Sequence, residues 1–308
     1  MREDTVSETL MSQAEAQAYL KANNNWGRWG KDDQQGAMNL ITAEKRLEAV
    51  SLVRQGRSVS LSRPFPKTPA PNNPTPAMHW MRALGRRFGV SGVIDFYGIS
   101  YHGQSSTHID ALCHVWDDDG LWNGRTPDVV TADGTQWGSI QNWSQGIITR
   151  GVLLDVPKFR GESFVPQGKP VTEPELRQIA AAQGVEMRPG DALCVYSGRE
   201  NYDRANDLPW GSTGIPRPGL HASCLKFIRE SDAALLVWDM MDEEREEECP
   251  WGTHSAIFAF GVALVDNALL EPLATVCAEE GRYEFMLMLC PLVVEGGTGS
   301  PLNPIALF

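Results

Sequence analysis

The stretch Tyr101–His114, Tyr-His-Gly-Gln-Ser-Ser-Thr-His-Ile-Asp-Ala-Leu-Cys-His, packs three of the chain's six histidines and an aspartate into fourteen residues. Imidazole and carboxylate at this density are what a divalent metal site with an adjacent proton carrier needs. On a fully extended strand, residues 104 and 114 would stand about 33 Å apart at roughly 3.3 Å per residue, beyond the reach of one ion. His108 and Asp110 would be only about 6.6 Å apart and can converge on it. The chain must therefore turn back around Gly103, Ser105 and Ser106, so that Gln104 or His102 can approach the same ion. A loop running into a short strand is predicted, with His114 beside the ligands. A mixed imidazole and carboxylate set suits zinc or manganese, and few protein ligands leave positions open for water. Such an ion lowers the pKa of its water towards about 7. His114, largely neutral near pH 7 if its pKa is ordinary, could take or return the proton.

The rest of the chain limits what this stretch can belong to. A length of 308 residues with 42% hydrophobic content supports a large core. No low-complexity linker divides it, which predicts one compact domain: an arm with a Trp-Gly loop and a helix over 1–60, packed on a catalytic body over 61–308. The formal charge of −12 argues against nucleic-acid or anionic-membrane partners and leaves a small-molecule substrate. Six cysteines are scattered singly, and the chain opens Met-Arg-Glu-Asp-Thr without an apolar leader. These features predict a reduced, cytoplasmic protein. No run approaches the roughly 18 apolar residues of a membrane helix.

Local patterns predict an α/β chain. Trp26-Gly-Arg-Trp-Gly reads as an ordered loop that walls a pocket or clamps a dimer. Thr42 caps a helix to about Gln55, with Leu47, Val50 and Val53 as its core face. Ser58–Ser62 alternates as a strand, and Pro64–Pro76 is a loop able to cover a cleft. His79 and Trp80 at its far end suit a lid over an aromatic substrate, and Trp116 and Trp122 are further pocket candidates. Gly92–Ile99 reads as a strand. From Gly151 strands and helices alternate: a strand over 152–156, a helix opened by a Thr172–Glu175 capping box and stopped by Gly184, and strands over 191–196 and 233–239. Leu220, Cys224, Phe227 and Ile228 mark a buried helix face. The run Asp242–Glu248 reads as solvated. A short helix from Thr253-His254, a helix over 271–279, a buried strand over Tyr283–Val294, an irregular loop over 296–304 and a last short strand complete the pattern.

Thr107-His-Ile-Asp-Ala-Leu-Cys-His114 resembles the signature of the cyclase family of metal-dependent hydrolases, which includes kynurenine formamidases and isatin hydrolases. The family pattern is His-x-Gly-Thr-His-x-Asp-x-Pro-x-His. Trp26–Thr42, Arg150–Asp155, Pro189–Ala192 and Gly297–Pro301 are similar to its longer members. The resemblance implies an open β-barrel-like α/β/β (swivelling) fold, a homo-oligomer (dimer or tetramer), and hydrolysis of a carbon–nitrogen or ester bond with Zn or Mn. Carried over residue by residue, His108 and Asp110 match metal ligands and His114 the catalytic histidine. His254 and Asp266 resemble the downstream His and Glu that help bind a second ion, with an acid one methylene shorter here. By strict spacing the first ligand falls on Gln104, while a histidine stands two residues earlier at His102. Gln104 binds, His102 reaches in, or the site is weakened or metal-free; spacing favours Gln104. The expected activity is opening of an amide, imide or lactone bond of a small cyclic or aromatic substrate. The alternatives are an arylformamidase, a catalytically silent binding homologue, and a metal-free lyase or isomerase using His114 with Asp110.

Overall fold

Strands β8 (Ala192–Tyr196) and β9 (Leu235–Trp238) are apolar throughout and buried along their whole length, the pattern of central parallel strands covered on both faces. The computed structural model describes residues 10–87, 89–244 and 252–308. In chain order the other strands are β1 (Ser58–Ser60), β2 (Met78–Arg87), β3 (Val90–Gly98), β4 (His108–Asp110), β5 (Val130–Thr131), β6 (Gly134–Thr135) and β7 (Ile147–Asp155). After β9 come β10 (Ala263–Asp266), β11 (Glu284–Leu289), β12 (Gly299–Pro301) and β13 (Ile305–Leu307). Nine of them form one sheet in the order β1-β13-β11-β7-β8-β9-β10-β4-β12. It curls into a half-barrel with α-helices packed around it, the open barrel-like α/β fold expected.

β7, β8, β9 and β10 run parallel. Helices Glu173–Gln183, Cys224–Glu230 and Ala256–Phe260 lie in their crossovers. The outer strands are antiparallel, and this matters for the site. Short β4 is held between β10 and β12, with His108 opposite Asp266 and Pro301, and Asp110 opposite Leu264 and Gly299.

Several local expectations are corrected. Helix Ala43–Ser51 is shorter than predicted, and Leu47 and Val50 face solvent. The helix instead docks through Ala49 and through Lys45, whose buried ammonium pairs with Asp191 and Glu48. Thr172 makes no side-chain cap bond, because Glu175 is held by Arg160 (2.6 and 2.7 Å) and the first helical N–H donates to Ser223 Oγ. The strand predicted to Val294 stops at Leu289, before Pro291, and Leu292–Val294 are exposed. Gly299–Pro301, read as irregular loop, is the edge strand β12. His79 and Trp80 sit in the β2–β3 hairpin, not at a loop end. The Trp-Gly loop is anchored on its own chain, with Trp26 Nε1 donating to the Phe258 carbonyl at 2.7 Å and Trp29 packed on Trp122. Of the acidic run, Asp242 and Glu243 are buried, and 245–251, with Cys249, lie outside the described residues. None of the five described cysteines is paired. No helix among the described residues is long and apolar enough to cross a membrane.

Candidate metal centre

Alternation along β4 sends Ile109 into the core and turns His108 and Asp110 to the opposite face. The loop 101–107 folds back over that face, as the spacing requires. His102 Nδ1 lies 3.0 Å from Asp110 Oδ1, and His108 Nε2 lies 3.3 Å from the same oxygen. The two imidazoles meet edge-on, 5.1 Å apart at 87°. One ligand atom from each of His102, His108 and Asp110 therefore falls within 4.8 Å of the others. His114 stacks flat on His102, with ring centroids 3.8 Å apart, and its Nε2 is 3.8 Å from Asp110 Oδ2. It stands beside the group, within reach of whatever the group binds.

Asp110, His254 and Asp266 form a second group with ligand atoms within 4.8 Å of one another. Here His254 and Asp266 are engaged. His254 Nε2 is 3.2 Å from Asp266 Oδ2, its Nδ1 bonds Asp242, and Trp238 Nε1 donates to Asp266 Oδ1 at 2.6 Å. Asp242, which the sequence reading assigned to a solvated run, also accepts from the Thr253 and His254 backbone N–H groups. The available signal was its position, one acid soon after a fully apolar strand.

Gln104 is placed differently from His102. Its carbonyl accepts from Arg199, and its side chain lies along Gly211, where an added Cβ would sit 3.1 Å from Oε1. A further residue missed in the sequence is Asn267, buried and left-handed (φ 54°) directly after β10. Its amide donates to the carbonyls of Gly103 (2.7 Å) and Ser106 (3.0 Å), and its Oδ1 accepts from Arg199 (2.6 Å). Its own carbonyl accepts from Thr107 Oγ1 (2.8 Å) and Arg63 Nε (3.0 Å). The loop that carries His102 and Gln104 is thus hung on one side chain.

Pro301, the neighbour of His108, also lines a cavity of about 460 Å³ walled by Phe65, Pro66, His79, Tyr97 and Leu292. Of the pocket candidates, only His79 is in this wall. It pairs with Asp95 at 2.8 Å. Trp80 is exposed and stacked on Phe96, Trp116 is exposed, and Trp122 is core.

The field of the site selects a cation. Burial alone would depress His108, but the Asp110 and Asp266 carboxylates outweigh it and raise the imidazole to about 9. Burial would raise Asp110, yet His108 and His102 hold it well below the usual carboxylate range. His254 is raised well above its ordinary value: burial opposes, and Asp242 and Asp266 prevail. Burial takes His114 the other way, down to about 4 despite Asp110, so it is neutral near pH 7.

The donors fit a metal on independent grounds. Both oxygens of Asp110, His102 Nδ1 and Gln104 Oε1 are buried without hydrogen-bond partners among the described residues. Leaving such atoms unsatisfied costs about 1–3 kcal/mol each, more when charged. A divalent cation held by Asp110 and His102 removes that cost for their atoms, and mixed nitrogen and oxygen donors suit a divalent metal.

Residues 59–245 match the model of the Cyclase family, described as "Putative cyclase". No curated protein matches the chain. Among solved structures, one described as a novel cyclase is 31% identical, with a TM-score of 0.83, covering 93% of this chain and 100% of its own. Isatin hydrolase A from Labrenzia aggregata, bound to benzyl benzoate, is similar in fold at 17% identity and a TM-score of 0.61, over 86% of this chain and 98% of its own. A "predicted metal-dependent hydrolase" from Bacillus stearothermophilus is similar at 12% identity and a TM-score of 0.52, over 82% and 98%.

Proposed function

Because the chain belongs to the cyclase family, we propose that it is a metal-dependent hydrolase that opens an amide, imide or lactone bond of a small cyclic or aromatic substrate. The observation that carries this reading is the convergence of buried, unsatisfied acceptors from the loop 101–107 and β4 on one point. In this reading His108 and Asp110 hold a zinc or manganese ion, with a further donor from the loop before Thr107. A divalent ion held there supplies Lewis acidity, making water a stronger nucleophile near neutral pH and polarising a carbonyl.

The chain's own residues do the rest. His108 donates from Nδ1 to the Ser106 carbonyl (2.8 Å), which presents Nε2 to the site. His114, neutral and stacked beside the ligands, takes a proton from the attacking water at Nε2 and returns it to the leaving nitrogen or oxygen. The cavity beyond Pro301 offers Phe65, Tyr97 and Leu292 to an apolar or aromatic substrate body. The aromatic ligand named for the isatin hydrolase neighbour supports that choice.

The β2–β3 hairpin exposes Met78, Trp80, Val93, Ile94 and Tyr97. A two-stranded ribbon is marginal alone, which supports a homo-oligomer that covers it. Unpaired cysteines support a cytoplasmic setting.

The test is metal content measured alongside turnover on a panel of cyclic imides, lactones and aryl formamides, before and after chelation. Turnover restored by zinc or manganese is expected. Full turnover of stripped enzyme would sink the metal mechanism, and metal uptake with no turnover across the panel would sink the hydrolase.

A further inference from the structure

We propose that His102 Nδ1, and not Gln104, is the third protein ligand of the ion, and that Thr298, bonded to the far nitrogen of the same ring, is its outer partner. This rests on the metal-dependent reading above and deepens it.

His102 Nε2 lies 3.0 Å from Thr298 Oγ1, so the hydroxyl occupies the ring nitrogen that faces away from the site. A neutral imidazole with its proton on Nε2 has a bare lone pair on Nδ1, and that atom is the one aimed at Asp110 Oδ1, 3.0 Å away. The backbone beside it is pinned by the Tyr101 hydroxyl, which donates to the Gly299 carbonyl at 2.9 Å.

His108 presents its Nε2 from the opposite side, because its Nδ1 is tied to the Ser106 carbonyl, an obligate acceptor. His102 Nδ1 and His108 Nε2 meet Asp110 Oδ1 at 3.0 and 3.3 Å, so the three atoms face the point where a cation would take three protein ligands.

The surrounding backbone makes room for this pose. At Gly299 an added Cβ would run into the Ile109 carbonyl and stand 3.2 Å from both His102 Cε1 and Tyr101 Cε2. His114 packs on the face of the His102 ring. Gln104 has none of this support. Arg199 holds its carbonyl, its side chain follows Gly211, and no hydrogen bond orients its amide oxygen. The ligand has thus moved two residues upstream of where the family spacing puts it, and Thr298 has become its outer partner.

The experiment titrates the metal-free full-length protein with Zn²⁺ alone by calorimetry, with thermal unfolding of each metal-free variant as the folding control. His102→Ala should weaken binding more than about 100-fold, beyond the roughly 10–100-fold that loss of an outer partner produces. Thr298→Val should fall within that range, with Thr298→Ser restoring affinity. Gln104→Ala should stay within about threefold of the parent. If His102→Ala does not fold, Co²⁺-loaded protein decides: the visible absorption bands should shift in Thr298→Val and not in Thr298→Ser. Loss of the ion from Gln104→Ala with retention by His102→Ala would overturn the assignment, as would unchanged Co²⁺ bands in Thr298→Val. A parent that takes up no ion at all would remove the metal-dependent reading with it. A parent that binds, loses the ion on Asp110→Asn and keeps it on His102→Ala would remove this assignment alone.

Discussion

Asp110 belongs to two groups of potential ligands, and they differ in how their polar atoms are satisfied. In the group with His102 and His108, both oxygens of Asp110 and His102 Nδ1 are buried without a hydrogen-bond partner among the described residues. In the group with His254 and Asp266, each carboxylate oxygen of Asp266 meets a ring N–H partner, Trp238 on one side and His254 on the other. His254 is braced from behind by Asp242. Of the second group, His254 and Asp266 are engaged with each other and with Asp242 and Trp238, so the open positions lie on the side of Asp110 and His102. Buried polar networks stabilise a fold only when every member is satisfied, so the contrast predicts one tightly held ion per chain, on the side of His102.

The largest expected effect comes from the residue the groups share. Asp110→Asn removes the only carboxylate of the first group and should leave the purified protein without measurable zinc or manganese and without turnover. Metal analysis by mass spectrometry checks this, and an Asp110→Asn protein with full metal content would break the contrast at its centre. Next is His114→Ala. General acid–base catalysis contributes about 10²–10⁴-fold, so kcat should fall by that much while metal content stays at the parent level. Loss of metal in this variant would make His114 a ligand and place the boundary of the first group elsewhere.

How much of this was legible in the sequence depends on which interactions were local. His108 and Asp110 could be brought to one face because the two-residue period of a strand fixes which side chains share it, whereas His114 reaches them from the turn that follows β4. The backward turn of the loop followed from distance alone. The placement of His102 against Asp110 did not, because it depends on Thr298 and Gly299 nearly 200 positions away in the chain. Asn267 was invisible for the same reason, since its partners are carbonyls that only the fold brings near, and Asp242 showed only through its position after an apolar strand. Leu47 and Val50 misled because helical periodicity was read as burial. The buried positions of that helix are Ala49, which allows close approach, and Lys45, whose charge is answered by Asp191 just before β8. β12 was missed because Gly-Ser-Pro carries no strand propensity; its register comes from pairing with β4.

The second group gives the smaller effects. Asp266→Ala removes a carboxylate that lies 3.8 Å from His108 Nε2 and so feels the first site without completing it. Zinc affinity should change by less than about tenfold, the lower end for partners outside a ligand set, and the ion count should remain one. A hundredfold loss would mean that Asp266 holds the same ion as His108, and the two groups would be one.

Trp238→Phe should have the slightest effect on the first site and the most specific effect on the second. Trp238 is fully buried on β9, and its indole N–H is the donor that occupies Asp266 Oδ1. Phenylalanine keeps most of the packing and deletes that donor, at less than the ~3–5 kcal/mol of a full truncation to alanine. Asp266 Oδ1 would then be a buried acceptor without a partner, as the Asp110 oxygens are. A second, weaker ion should appear in the variant at millimolar Mn²⁺, seen by calorimetry as a separate binding step, while the parent stays at one. Two ions in the parent would show that the second group is held open despite its hydrogen bonds. One ion in both would show that His254, braced by Asp242, closes the position without help from Trp238.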